Sequence, residues 1–237
     1  MKTLLAAIGL LFACCSSVFA ADQLVPVQPA GGDPFNYVLT TRSPATIAYG
    51  VILMPGGNGR LNPHLEGVNI AMASGGNFLI RSRALFAGPQ FVAASTDATT
   101  TPGRILAIAD DLKKRYPDIA IYVIGTSRST ESTMRLAPLL DGQVAGFIHN
   151  SSMSGISGFD TRGLKSRQLV VLHKHDACRV TSPSAGAANH NKYGTTLIEM
   201  DGGKSTGDDC EAFAYHGYNG IEADTVAKME EWITAGK

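Results

Sequence analysis

Ser127 stands in Gly125-Thr126-Ser127-Arg128-Ser129, directly behind the apolar run Ile119-Ala120-Ile121-Tyr122-Val123-Ile124. A serine with small residues two before and two after it can be carried at the tip of a sharp turn from a buried strand into a helix. The small flanks let strand and helix approach closely while the hydroxyl stays exposed on a strained backbone. Gly125 meets that need fully; Ser129 meets it by size, although glycine is commoner there. The chemistry such a serine offers is nucleophilic attack on a carbonyl carbon. A hydroxyl is a poor nucleophile alone, so it needs a base held in one tautomer by an acid. Asp176, in His173-Lys174-His175-Asp176-Ala177-Cys178, and His216, in Ala214-Tyr215-His216-Gly217-Tyr218, are the residues available in suitable loops. As five letters the serine motif is weak; the strand before it and the helix after it give it weight.

Charge developing on a carbonyl oxygen requires two backbone N–H donors. One is expected from Arg128, the residue after the candidate nucleophile. The other is expected from Pro55-Gly56-Gly57-Asn58-Gly59, through Gly57 first and Asn58 second. The same glycines would also suit a plain turn. A phosphate-cradling role lacks the Gly-Lys-Ser/Thr ending. Arg81 and Arg83 are expected either to order that loop by hydrogen bonds or to be solvated. His173 and His175, two apart on a strand, share a face and could hold a metal with Asp176, His64 or His190. The rest of a ligand pattern is missing, so loop packing near Asp176 is their expected role. His149 reads as a hydrogen-bonded core histidine.

The elements that must position these groups alternate between strand and helix. Strands are expected over residues 47–54, 91–94, 119–124, 144–148, 169–173 and 195–200. Residues 21–36, rich in Pro and Gly, read as an extended arm, and 65–73 has helical character. A helix begins at Thr101-Pro102, with Pro in the first turn, and shows Ile105, Ile108 and Leu112 on one face before Tyr116-Pro117-Asp118 stops it. Another follows Ser127 and meets Pro138, which ends or kinks it. Thr181-Ser182-Pro183 reads as a helix cap and first turn. A last helix over 221–234 places Val226, Met229 and Ile233 at helical spacing. Such alternation implies a mostly parallel sheet covered on both faces. Only about 20 residues, rich in Ser and Gly, join the strands at 144–148 and 169–173, too few for a cap domain.

The chain of 237 residues opens on Met1-Lys2-Thr3, an apolar stretch and Val18-Phe19-Ala20. That pattern reads as a secretory leader over residues 1–20, with lipid attachment at Cys14 as the lesser alternative. The destination is then the periplasm or the medium. No later run approaches the length of a membrane span. The remainder, residues 21–237, suits a single α/β domain. Lys+Arg and Asp+Glu both number 20, so the mature chain is near neutral and nothing suggests nucleic acid or an anionic membrane as partner. Cys178 and Cys210 alone survive removal of the leader, and an even pair in an exported chain is expected to form a disulfide. That bond would tie the Asp176 loop to the His216 loop.

In combination these blocks resemble the α/β-hydrolases, and within them small exported bacterial members of largely unassigned function. The likeness rests on Leu53-Met54-Pro55-Gly56-Gly57, Asn77-Phe78-Leu79-Ile80-Arg81-Ser82-Arg83, Gly125 through Ser129, His175 through Cys178, and Cys210 through Gly217. It covers nearly all of the mature sequence. It implies a mostly parallel central sheet flanked by helices with no large cap domain, and a nucleophile, acid and base in the order Ser127, Asp176, His216. The glycine loop then occupies the place of the His-Gly-Gly-Gly segment of lipases and esterases, with Pro55 where histidine is usual. The expected activity is cleavage of an ester or related acyl bond in a small molecule, without metal or cofactor. Peptidase, thioesterase and acyltransferase chemistry use the same machinery. Two other expectations stand beside it, a non-catalytic binding protein on the same fold and a metal-dependent hydrolase built on His173 and His175.

Overall fold

The computed structural model describes residues 19–42 and 46–236. Most of the expected leader, with Cys14, therefore lies outside the described residues. Eight strands form one sheet: β1 (Ala21–Val27), β2 (Phe35–Thr41), β3 (Tyr49–Met54), β6 (Phe91–Ser95), β7 (Ala120–Thr126), β8 (Gly146–Asn150), β9 (Arg167–His173) and β10 (Thr196–Met200). Their spatial order is β1-β2-β6-β3-β7-β8-β9-β10. The first two strands run antiparallel, and β3 and β6 to β10 pair in parallel. A two-stranded hairpin of β4 (His64–Glu66) and β5 (Asn69–Ala71) stands apart.

Period-two alternation along the central strands divides the core between two faces. From β3, Ile52 and Met54 join Val92, Ala94, Ile121 and Val123 under α3 (Pro102–Arg115) and α4 (Thr130–Leu139). Val51 and Leu53 face the other way, with Ala93, Ile124, Ile148 and Val171. That second face is covered by α1 (Phe78–Arg81), α2 (Arg83–Phe86) and α6 (Glu222–Thr234) through Phe78, Leu79, Phe86, Val226, Met229 and Ile233. The helix α5 (Pro183–Tyr193) packs Ala185 on Val170. Between β8 and β9 the chain makes only a short turn at Ser154–Gly158, and no large cap domain is inserted.

Three local readings are corrected by the structure. The arm at 21–36 contains β1, paired residue for residue with β2 from Ala21↔Thr41 to Val27↔Phe35. Its Pro26 is tolerated because the strand lies at the sheet edge. The helical reading of 65–73 gives way to the β4–β5 hairpin, which closes on Gly67-Val68 with Glu66 opposite Asn69. Gly67, at φ 62°, supplies the positive φ that a tight hairpin turn requires at its first central residue. Residues 78–86, given no helix from sequence, form α1 and α2.

One half-buried carboxyl in this frame has an oxygen without a hydrogen bond among the described residues. Glu230 of α6 buries Oε1 without a hydrogen bond, and burial pushes its pKa up from 4.5 to about 7 against the opposing pull of Arg42. A carboxyl raised in the folded state loses stability as pH climbs from its unfolded value through the folded one. Replacing it by Glu230→Gln removes the penalty. The gain in Tm over wild type is expected to be small near about pH 5 and larger at about pH 8; a gain that ignores pH would show that burial of the charge is not its source.

Candidate active site

All the parallel strands deliver their carboxyl ends to one edge of the sheet, where crevices for ligands form in such architectures. Ser127 follows β7 there, with φ at 53°, a left-handed conformation unusual for serine. The turn is tight: a Cβ on Gly125 would lie 2.6 Å from the Ser129 carbonyl oxygen and 2.9 Å from Thr133 Cγ2. Ser129 has a positive reason to be serine. Its hydroxyl accepts from the Thr126 N–H at 2.7 Å and lies 2.8 Å from the Met54 carbonyl and 2.9 Å from that of Thr126. It thus joins the end of β3 to the end of β7. Thr130 Oγ1 donates to the Ser127 carbonyl at 2.6 Å, closing the turn Ser127–Ser129 that leads into α4.

The glycine loop after β3 lies against this turn. A Cβ on Gly56 would meet the Thr126 carbonyl oxygen at 2.8 Å and Ser127 Cβ at 2.9 Å, so only glycine brings the loop so near. Gly59 N–H donates to Gly56, and Asp97 Oδ1 accepts from the N–H groups of Leu61 and Asn62 at 2.7 and 2.9 Å. Gly56 and Gly57 line a cavity of about 380 Å³ together with Ser127, His216, Asn77 and Phe213. Asn58 and Arg128 line a neighbouring cavity of about 220 Å³ that shares Gly57. Asn58 also turns its side-chain oxygen to the Arg60 N–H at 2.9 Å. Gly57 thus lines the cavity that holds Ser127, whereas Asn58 lines only the neighbouring one.

Asp176 and His216, forty residues apart, meet in the interior. His216 Nδ1 donates to Asp176 Oδ2 at 2.9 Å, and both side chains are nearly inaccessible. Thr181 Oγ1 donates to the same carboxylate oxygen at 3.0 Å, and the Cys178 N–H donates to Oδ1 at 2.9 Å. A proton fixed on Nδ1 leaves Nε2 without one, and His216 lines the cavity that Ser127 also lines. Ser127 and His216 form no direct hydrogen bond in this structure. Such contacts are often long in unliganded sites and tighten around substrate. The sequence marks Thr181 only as part of a helix start; the cap of α5 is Ser182, and the bond of Thr181 to Asp176 has no local signal.

The His216 loop is held from several sides. Cys178 and Cys210 are disulfide-bonded, joining it to the Asp176 loop. Ser151 Oγ donates to the His216 carbonyl at 2.8 Å and lies 3.0 Å from the Tyr218 hydroxyl, which donates to the Val171 carbonyl. Burial pushes the Tyr218 hydroxyl pKa up and keeps it a neutral donor. Arg81 corrects the expectation made for it. Its guanidinium donates to the Gly217 carbonyl at 2.6 Å, the Gly76 carbonyl at 2.7 Å and Glu222 Oε1 at 3.0 Å. It steadies the His216 loop rather than the glycine loop. Arg83, the first residue of α2, pairs with Asp22 of β1, also away from that loop.

The remaining histidines have other partners. His173 accepts from the His175 N–H and donates to the Gly202 carbonyl, so both ring nitrogens are engaged, and it stacks on Tyr215. His175 faces Asp201, His190 bonds the Thr195 carbonyl, and His64 lies in the exposed β4. Burial lowers the His149 pKa to about 4, and its ring bonds Thr133 and Gln168 in the core. Among the described residues, the cluster with metal-ligand geometry is Asp176, Cys178 and His216, whose cysteine sulfur is already in the disulfide. No described helix is long and apolar enough to cross a membrane.

No protein-family model matches the sequence. No curated protein matches it either. Solved structures do match the fold. An α/β serine hydrolase without a lid from Xanthomonas campestris superposes with a TM-score of 0.57 at 12% identity, covering 88% of this chain and 94% of its own. The esterase domain of a Rhodothermus marinus protein gives a TM-score of 0.60 at 10% identity, over 90% and 97% of the two chains. An α/β serine hydrolase homologue from Coxiella burnetii gives 0.55 at 14% identity, over 90% and 94%. The chain has the α/β-hydrolase fold.

Two outcomes test how this edge is held together. Ser129→Ala strips partners from the Thr126 N–H and the Met54 carbonyl and is expected to cost about 1–3 kcal/mol in denaturant unfolding; Ser129→Gly, though nearer the usual pattern, should fare no better. Cys210→Ser opens a loop whose cysteines are 32 residues apart. It is expected to lower stability by about 3–4 kcal/mol, and unchanged unfolding would mean that the disulfide constrains nothing beyond the folded contacts.

Proposed function

We propose that this chain is an exported serine hydrolase that cleaves carboxylic ester or related acyl bonds in small molecules. The observation that carries this reading is the buried Asp176–His216 hydrogen bond through Nδ1, with His216 lining the cavity where Ser127 stands at φ 53°. Ser127 Oγ attacks the carbonyl carbon while His216 Nε2 takes its proton. The carbonyl oxygen becomes an oxyanion beside the N–H groups of Gly57 and Arg128. Collapse of the tetrahedral adduct expels the leaving group, which receives the proton from His216, and an acyl-serine remains. Water, deprotonated by His216, attacks the acyl carbon, and Ser127 leaves with the proton returned to it. Asp176 holds the imidazole orientation and stabilises the imidazolium formed at each step.

The absence of a large cap fits small or partly exposed substrates. The leader pattern and the Cys178–Cys210 disulfide favour an oxidising compartment outside the cytoplasm. A binding protein on this fold has no need of an acid and a base paired next to a strained serine. A metal-dependent hydrolase would need His173, whose nitrogens are already spent on the Gly202 carbonyl and the His175 N–H.

Covalent labelling tests the reading. Mature protein treated with a fluorophosphonate is expected to gain the mass of a single adduct, lost in Ser127→Ala, and ester hydrolysis should persist in a chelator. Folded protein that takes up no adduct, or activity that survives Ser127→Ala, would overturn it.

A further inference from the structure

We infer that the side-chain amide of Asn77 donates to the same oxyanion, as a third donor beside the two backbone N–H groups, an inference that rests on the acyl-transfer reading. Asn77 caps the N-terminus of α1, its Oδ1 accepting from the Leu79 N–H at 3.1 Å. That bond assigns the amide, because only the oxygen can accept from an N–H. The nitrogen is therefore the free end. Nδ2 makes no hydrogen bond among the described residues, and Asn77 lines the cavity of Ser127 and His216. It stands 3.6 Å from where a Cβ of Gly56 would lie, a point itself 2.9 Å from Ser127 Cβ. Asn77 Nδ2 and Ser127 Cβ therefore both border the space that a Gly56 side chain would fill.

The donor is also fixed before any substrate arrives, which is what gives such groups their effect. Asn77 N–H donates to the Ser74 carbonyl at 2.8 Å, and its own carbonyl accepts from the Arg81 N–H at 2.9 Å. Phe78, Leu79 and Ile80 behind it are buried. Arg81 then binds the Gly76 and Gly217 carbonyls, so donor and base loops share one anchor. A cap alone would not need asparagine: serine and aspartate serve equally, and threonine somewhat less well. What asparagine adds is an N–H pair directed away from the helix.

That difference supplies the test. Asn77→Ser keeps a capping oxygen and removes the donor; Asn77→Thr is the second variant if serine impairs folding. With p-nitrophenyl acetate, kcat is expected to fall about 100-fold while KM changes little, the signature of a contact made in the transition state. Affinity for a boronic acid, which forms a tetrahedral adduct with serine, should weaken in parallel, with Tm and fluorophosphonate stoichiometry at wild-type values. A kcat within about twofold of wild type, or a loss confined to KM or Tm, would overturn the role of Asn77 while leaving the labelled Ser127 standing. A wild-type protein inert to both reagents would overturn the function and this role together.

Discussion

The site depends on how closely two strand ends can approach. At the end of β7 the chain must reverse into α4 within the space of Ser127–Ser129, and at the end of β3 the glycine loop must pass alongside. Gly125 leaves no Cβ in the path of Ser129, and Gly56 leaves none in the path of Ser127. Ser129 then uses the space so gained, bridging Met54 and Thr126 with one hydroxyl. The register of the sheet sets this up, since Met54 lies opposite Gly125 in the β3–β7 pair. Strain at Ser127 is held in place by these bonds, and it is the strain that exposes the hydroxyl.

The other half of the site arrives from loops, and loops need anchors. His216 lies in a long segment between β10 and α6 with little regular structure of its own. It is pinned by the disulfide on one side, by Ser151 and Tyr218 beneath, and by Arg81 from α1. Each anchor belongs to a different element, so the position of the imidazole averages over the whole carboxyl edge. Arg81 also bonds Glu222 at the start of α6, which couples this loop to the helix covering the second face. Asp176 is held more locally, by the Cys178 N–H and by Thr181.

Much of this was readable from residue order. The strands at 91–94, 119–124 and 169–173 and the helices at 102–115 and 221–234 show up as apolar periodicity bounded by Pro and Gly. The strand readings at 47–54 and 144–148 are right in kind and displaced by about two residues, within the usual error for element ends. The hairpin at β4–β5 reads as helix because Leu65, Val68 and Met72 stand at helical spacing, while the Gly67 turn weighs little in such a pattern. Neither β1 nor the short α1 and α2 carries a periodic signal long enough to register, and β1 owes its pairing to β2. The roles of Thr181 and Arg81 were illegible for another reason. Gly217 is 136 residues from Arg81, and Asp176 meets Thr181 through an irregular loop turn that no periodic pattern specifies.

By itself the sequence determined the alternation of elements, the serine on its turn, and which acid, base and cysteines were available in the right order. These are local properties, written in side-chain size, periodicity and the backbone freedom of a few residues. Only the tertiary structure decided that Asp176 and His216 share a hydrogen bond, that Gly56 packs against Ser127, and that Arg81 serves the His216 loop. A hydrogen bond is satisfied within about 3 Å and in one direction, and no spacing along a chain specifies either until the sheet has brought its strand ends together.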